Sequence, residues 1–297
     1  METQIRTPRQ HPFFDRHTVL GTIVLIILAY IFVTVPTTIV FLIAGFILPG
    51  FHPNDYLFVG IAGMACLALL IYKLWFRPEY RGILFRGFAR TLKLCPVILP
   101  YWLLVCLPEF LDGNFPKTFN LTVFSTALIA GFSEEVIFRG FPLSYLKRQL
   151  RSEKQIPLIV TVTGVFFGMF HLTNMILGAS LSASLVQAVS ASCIGIFFGA
   201  LLMRGGNLLV PILLHSAHDV LMLSFQNADE VSAILSDEAT PTDILMMLPC
   251  IALAVFGFFL IRKSVRREIC GMWAETWSQS TENQPEIPAE PKNTTEV

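Results

Sequence analysis

From Gln155 to Met203 the chain carries no Asp, Glu, Lys or Arg. Such a stretch is too long for one helix and too apolar for the surface of a soluble domain. A helix crossing a bilayer needs about 20 predominantly apolar residues. The interval holds two of them, divided around Asn174, Gly178 and Ser180. Hydrocarbon is therefore the solvent that most constrains this fold. The remaining sequence obeys the same constraint, with 54% hydrophobic and 14% charged residues, where a soluble domain carries roughly a quarter charged.

Charged residues bracket the other spans. The first is Thr18–Leu48, with Pro36 placed to kink it, and it is longer than the roughly 7–15 apolar residues of a signal peptide, so it reads as a retained span. Further spans are expected over about Tyr56–Phe76, Leu94–Leu111, Asn120–Leu146, Leu208–Phe225 and Ile244–Ile261. The expected fold is all-α, a polytopic transmembrane bundle of about eight spans. Residues 1–17 form a cytoplasmic N-terminus, 18–267 the bundle with its chemistry within about 120–225, and 268–297 a disordered cytoplasmic tail.

Orientation follows from the basic residues. An N-in, C-in bundle puts all but two of the 21 Lys and Arg on the cytoplasmic side, the exceptions being Lys117 and Arg139. The connection holding Asp229, Glu230, Asp237, Glu238 and Asp243 has no Lys or Arg and faces outward. Between Arg77 and Lys93, arginines alternate with Tyr80, Ile83, Leu84, Phe85 and Phe88, a pattern that fits either an amphipathic helix in the headgroup plane or a basic loop. Zero formal net charge argues against a nucleic-acid partner. The six cysteines include no C-x-x-C pair and read as buried thiols.

An ionisable side chain within hydrocarbon costs several kcal/mol and marks a functional candidate. Glu134, Glu135, Arg139, His171, His215, His218 and Asp219 are such residues, spread over the fourth, fifth and seventh spans. Glu135 and Arg139 are four apart on one helix face and suit a salt bridge. Glu134, rotated by about 100°, is free to point elsewhere. His215 and Asp219 likewise share a face, with His218 at its edge. A desolvated Glu suits a general base, and His171 could share its water. His215 with residue 219 could polarise a carbonyl and stabilise an oxyanion. Two His and a carboxylate would also satisfy a divalent metal such as zinc, held by Glu134, His171, His215 and Asp219. The single-helix H-E-x-x-H signature is missing, and the cofactor stays open.

The string Glu134-Glu135-Val-Ile-Phe-Arg139 resembles the E-E-x-x-x-R motif of the CPBP family of membrane proteins, which includes type II CAAX prenyl proteases and bacteriocin-immunity proteins. Phe167-Gly-Met-Phe-His171 resembles its F-x-x-x-H motif, and His215-Ser-Ala-His-Asp219 its H-x-x-x-N or H-x-x-x-D motif. The three stand in the family's order on separate spans. The resemblance implies an intramembrane endopeptidase, glutamate-dependent or metal-dependent. Glu134 and His171 would activate water, His215 and Asp219 would form the oxyanion or metal side, and Glu135 and Arg139 would hold the geometry. An ionised Asp219 would repel an oxyanion where the family's Asn donates to one, so Asp219 is expected to be protonated, paired with a histidine or bound to metal. The implied partners are the lipid bilayer and a membrane-bound peptide or protein, CAAX-type or bacteriocin-like. The expected location is a bacterial plasma (inner) membrane. Two other readings remain at this stage, a proton- or cation-coupled transporter and a non-catalytic immunity or scaffold protein. The sequence shows no repeat symmetry of the kind transporters use.

Overall fold

The computed structural model describes residues 17–48, 63, 66, 67, 70, 74, 83–116, 119–143, 153–177, 179–225 and 238–282, and contains no strand among them. The chain is an all-helical integral membrane protein. Helix α1 is Thr18–Ile47, α2 Phe88–Leu92, α3 Ile98–Leu111 and α4 Leu121–Glu135, extended by a π-helical turn over Val136–Gly140. Then come α5 Ile156–Phe170, α6 Leu181–Gly205 and α7 Leu209–Ser224. The last three are α8 Pro241–Leu245, α9 Met247–Leu260 and α10 Arg266–Glu282. Much of the second expected span, all of 226–237 and the tail from 283 lie outside the described residues.

Among the described residues three stretches are long and apolar enough to cross a membrane: Glu153–Met175, Leu181–Gly205 and Pro241–Leu260. Local chemistry sets where several helices start. Pro157 sits in the first turn of α5, where its missing N–H costs nothing. The Asn120 side chain accepts from Val123 N–H at 2.8 Å and starts α4; Ser180 accepts from Ala183 N–H at 3.1 Å and starts α6. Helix α1 runs unbroken through Pro36 and exposes Ile39, Val40, Leu42, Ile43 and Phe46. Exposed apolar rows of this kind suit contact with lipid tails.

Helix α6 is the centre of the bundle, with Phe197, Phe198, Ala200, Leu201, Leu202 and Met203 at most 1% exposed. It packs parallel to α9, where Cys250 meets Ser190 and Gly257 meets Phe197, and antiparallel to α5, where Gly168 meets Ser192, Gly164 meets Gly195 and Val160 meets Gly199. Helices α4 and α7 pair in the same way through Gly131 and Ser216, where an added Cβ would lie 2.5 Å from Ser216 Oγ. Close approach through small residues substitutes for the hydrophobic drive that lipid does not supply.

The α6–α7 turn is clamped from both sides. Asn207 donates to the carbonyls of Leu84 and Arg86 at 2.9 Å each and accepts from Val210 N–H at 3.0 Å. Leu208 N–H donates to Ile83 O at 2.8 Å, and Arg90 Nε to Gly205 O at 2.9 Å. Gly87 adopts φ 71°, and a Cβ there would lie 2.4 Å from Gly205 O, so glycine is required. The described part of the basic segment before Lys93 is thus docked on the bundle, with the short helix α2 inside it.

The tail differs from expectation. Disorder was expected from residue 268, yet α10 continues to Glu282. Its anchors are Ile269 and Trp273, 0% and 3% exposed and four apart on one face. Trp273 Nε1 donates to Met203 O at 2.9 Å, and Arg204 pairs with Glu268 at 2.6 Å. That guanidinium holds the Glu268 carboxyl below the usual carboxylate range. Apolar residues confined to the first half of the helix, with Cys270 and Met272 packed beside the two anchors, do not override the Ser- and Glu-rich composition that follows when only the sequence is read.

If this clamp stabilises the bundle, Trp273→Phe should destabilise it by about 1–3 kcal/mol through the unpaired Met203 carbonyl. Arg267→Ala, at a side chain 91% exposed, should change nothing in the same detergent unfolding experiment.

Candidate active site

The π-helical turn at the end of α4 is where the site begins. Phe141 N–H bonds Val136 O five residues back, inserting one extra residue into the turn. Arg139, on this turn, is 0% exposed and donates through Nη1 to Glu135 Oε1 at 2.8 Å. The expected pair is present and wholly buried. The same oxygen accepts from His215 Nδ1 at 2.9 Å, reaching across from α7. A carboxylate can only accept, so Nδ1 is the donor and carries a proton.

With Nδ1 committed, His215 Nε2 points to the other two acids. Glu134 Oε2 lies 3.6 Å from it and Asp219 Oδ2 3.7 Å. These separations exceed a direct hydrogen bond and lie within ion-pair range. Glu134 and Glu135, though adjacent in sequence, thus serve opposite nitrogens of one imidazole. Exposure divides the site in two. Glu135 and Arg139 are sealed at 0%, whereas Glu134 and Asp219 side chains are 34% and 27% exposed. The supporting pair forms the floor and the other two acids the open side.

His171 stands at the end of α5, its Nδ1 donating to Phe167 O at 3.0 Å, which leaves Nε2 free. Phe167 is the hub of the arrangement. The Arg139 guanidinium lies over its ring at 4.1 Å, and the His171 and His215 rings meet it edge-on at 4.9 and 5.6 Å. Phe138 packs on it at 5.2 Å. The structure therefore brings Glu134, Glu135, Arg139, His215 and Asp219 into one ionic cluster and joins His171 to it through an aromatic ring. His218 turns the other way, its ring 5.7 Å from Tyr101 on α3.

Sequence reasoning missed the hub role of Phe167, the π-helical turn and the glycines that admit Arg139. Only the glycines left a signal, in Gly164 and Gly168 on one span and Gly195 and Gly199 on the next, each pair four apart. Two imidazoles and two carboxylates are donors that zinc accepts. Among the described residues, however, no three His, Cys, Asp or Glu side chains are arranged to hold an ion.

Residues 116–221 match the model of a family described as type II CAAX prenyl endopeptidase Rce1-like. That stretch contains every residue of the cluster. No curated protein and no solved structure matches the chain.

Removing Arg139 would leave a buried carboxylate with one donor fewer. Arg139→Ala is expected to destabilise the protein by about 3–5 kcal/mol, measured by unfolding in detergent. Arg139→Lys, which keeps the charge, should lose less.

Proposed function

We propose that the chain is an intramembrane endopeptidase that hydrolyses peptide bonds of membrane-associated substrates. The observation that carries this reading is the Glu135 carboxylate, which fixes His215 so that Nε2 faces the two half-buried acids. The Rce1-like match over 116–221 supports the reaction class.

In the proposed reaction Glu134 takes a proton from a water whose oxygen attacks the scissile carbonyl carbon. The Nε2 of His171, left free by the bond of Nδ1 to Phe167 O, accepts the water's second hydrogen and orients it. Because Nδ1 already carries a proton, His215 acts here as the imidazolium, and its second proton, on Nε2, faces the developing oxyanion. Asp219, 3.7 Å from that nitrogen, partners the imidazole and does not confront the oxyanion alone. Collapse of the tetrahedral intermediate breaks the C–N bond, and the proton held by Glu134 passes to the leaving amine. The products are one new carboxyl group, which keeps the water's second hydrogen, and one new amine. Because Glu135 and Arg139 are sealed from solvent, they hold geometry and do not meet substrate.

The substrate class consistent with the domain is a prenylated CAAX-type C-terminus or a bacteriocin-like membrane peptide. The proposed setting is a bacterial plasma membrane, crossed eight times with both termini in the cytoplasm. Charge segregation supports the orientation. Arg86, Arg90, Arg204, Arg262 and Arg266 lie at the end where α6 and α9 finish, and Glu109, Asp112 and Glu238 lie at the opposite end.

Glu134→Gln, His171→Ala and His215→Ala should each reduce cleavage of a membrane reporter peptide by at least about a thousandfold while the protein remains folded. Near-normal cleavage in any one of them removes that residue from the mechanism. The glutamate route further predicts that cleavage survives a strong chelator. Stoichiometric zinc that is lost in Asp219→Asn together with activity would instead make these residues metal ligands.

A further inference from the structure

We infer that Gly195, on α6, is a positioning residue for the site, although its helix contributes no acid or base. The inference rests on the reading above only where cleavage is measured. A Cβ on Gly195 would lie 2.7 Å from Arg139 Nη2 and 3.0 Å from Gly164 Cα. Arg139 has no room to give way. It is 0% exposed, stacked on Phe167 at 4.1 Å and bound to Glu135 through Nη1. Glu135 in turn holds His215 Nδ1 at 2.9 Å. The bare Cα at 195 therefore sets the height of Arg139, that of Glu135 with it, and the direction of His215 Nε2.

Two neighbouring glycines separate this role from ordinary helix packing. A Cβ on Gly164, on the facing helix, would meet Ile196 Cγ1 at 2.6 Å, Ile196 N at 2.7 Å and Gly195 C at 3.0 Å. The same helix pair would be strained, with Arg139 left alone. A Cβ on Gly199, one turn further along α6, would find Val160 Cγ1 at 3.4 Å, an ordinary contact.

The test reads the His215 side chain directly, by ¹⁵N NMR of histidine-labelled protein in bilayers, with cleavage as a second readout. Gly195→Ala should move the His215 Nδ1 resonance and lower kcat about tenfold with KM unchanged. Gly164→Ala and Gly199→Ala should leave that resonance in place. In an Arg139→Lys background, which lacks Nη2, adding Gly195→Ala should change kcat less than about twofold. Should Gly195→Ala alone not fold, the Arg139→Lys double variant must recover folding. The inference is overturned if Gly195→Ala leaves the resonance unmoved, if Gly164→Ala moves it equally, or if the double variant shows the full tenfold loss or does not fold. Should the wild-type chain cleave no peptide while the resonances behave as stated, the peptidase reading fails and the positioning role stands.

Discussion

One carboxylate oxygen, Glu135 Oε1, accepts from an arginine on its own helix and from a histidine on another. A charge in hydrocarbon is tolerated only when it is paired and hydrogen-bonded, so this contact dictates where α4 and α7 must lie. It also has a chemical consequence. Once Nδ1 of His215 is occupied, the ring has a single free nitrogen, and that nitrogen faces the two acids that remain open to the surroundings. Structural and reactive roles are thereby divided between adjacent glutamates. Glu135 is sealed beneath the imidazole, and Glu134 is half-buried on its other side.

Bringing four helices around such a contact demands close backbones. Glycines supply the approach at both interfaces, Gly131 against Ser216 for α4 and α7, and Gly164 against Gly195 for α5 and α6. In lipid, where apolar side chains gain little by leaving the solvent, small residues and interhelical hydrogen bonds carry association. The long-range bonds from Asn207, Arg90 and Trp273 do the same at the basic end, fixing the start of the helix that bears His215 and Asp219. Part of that clamp, Arg90 and Trp273, lies outside the Rce1-like stretch at 116–221.

Much of this was legible in the sequence because hydrocarbon makes each charged residue conspicuous. The four-residue spacings of Glu135 with Arg139 and His215 with Asp219 read directly as shared faces, and both pairs come together in the structure at 2.8 and 3.7 Å. Glu134, expected to point away from Glu135, reaches the same imidazole from the other side. That outcome depends on the placement of α7, which no local spacing encodes. The π-helical turn was invisible for a similar reason, since an extra residue in a helix leaves the composition unchanged. The helix after residue 268 was missed because its two anchors, Ile269 and Trp273, matter only once Met203 O is known to lie opposite.

The most direct test of the account is the distance between the Glu135 carboxyl carbon and His215 Nδ1, measured by ¹³C–¹⁵N dipolar recoupling on the wild-type protein in lipid bilayers. A shared carboxylate places these nuclei within about 4 Å of one another, as hydrogen-bond geometry requires. A separation beyond about 5 Å would mean that the imidazole is held by something else, and the orientation of Nε2 toward Glu134 and Asp219 would lose its cause.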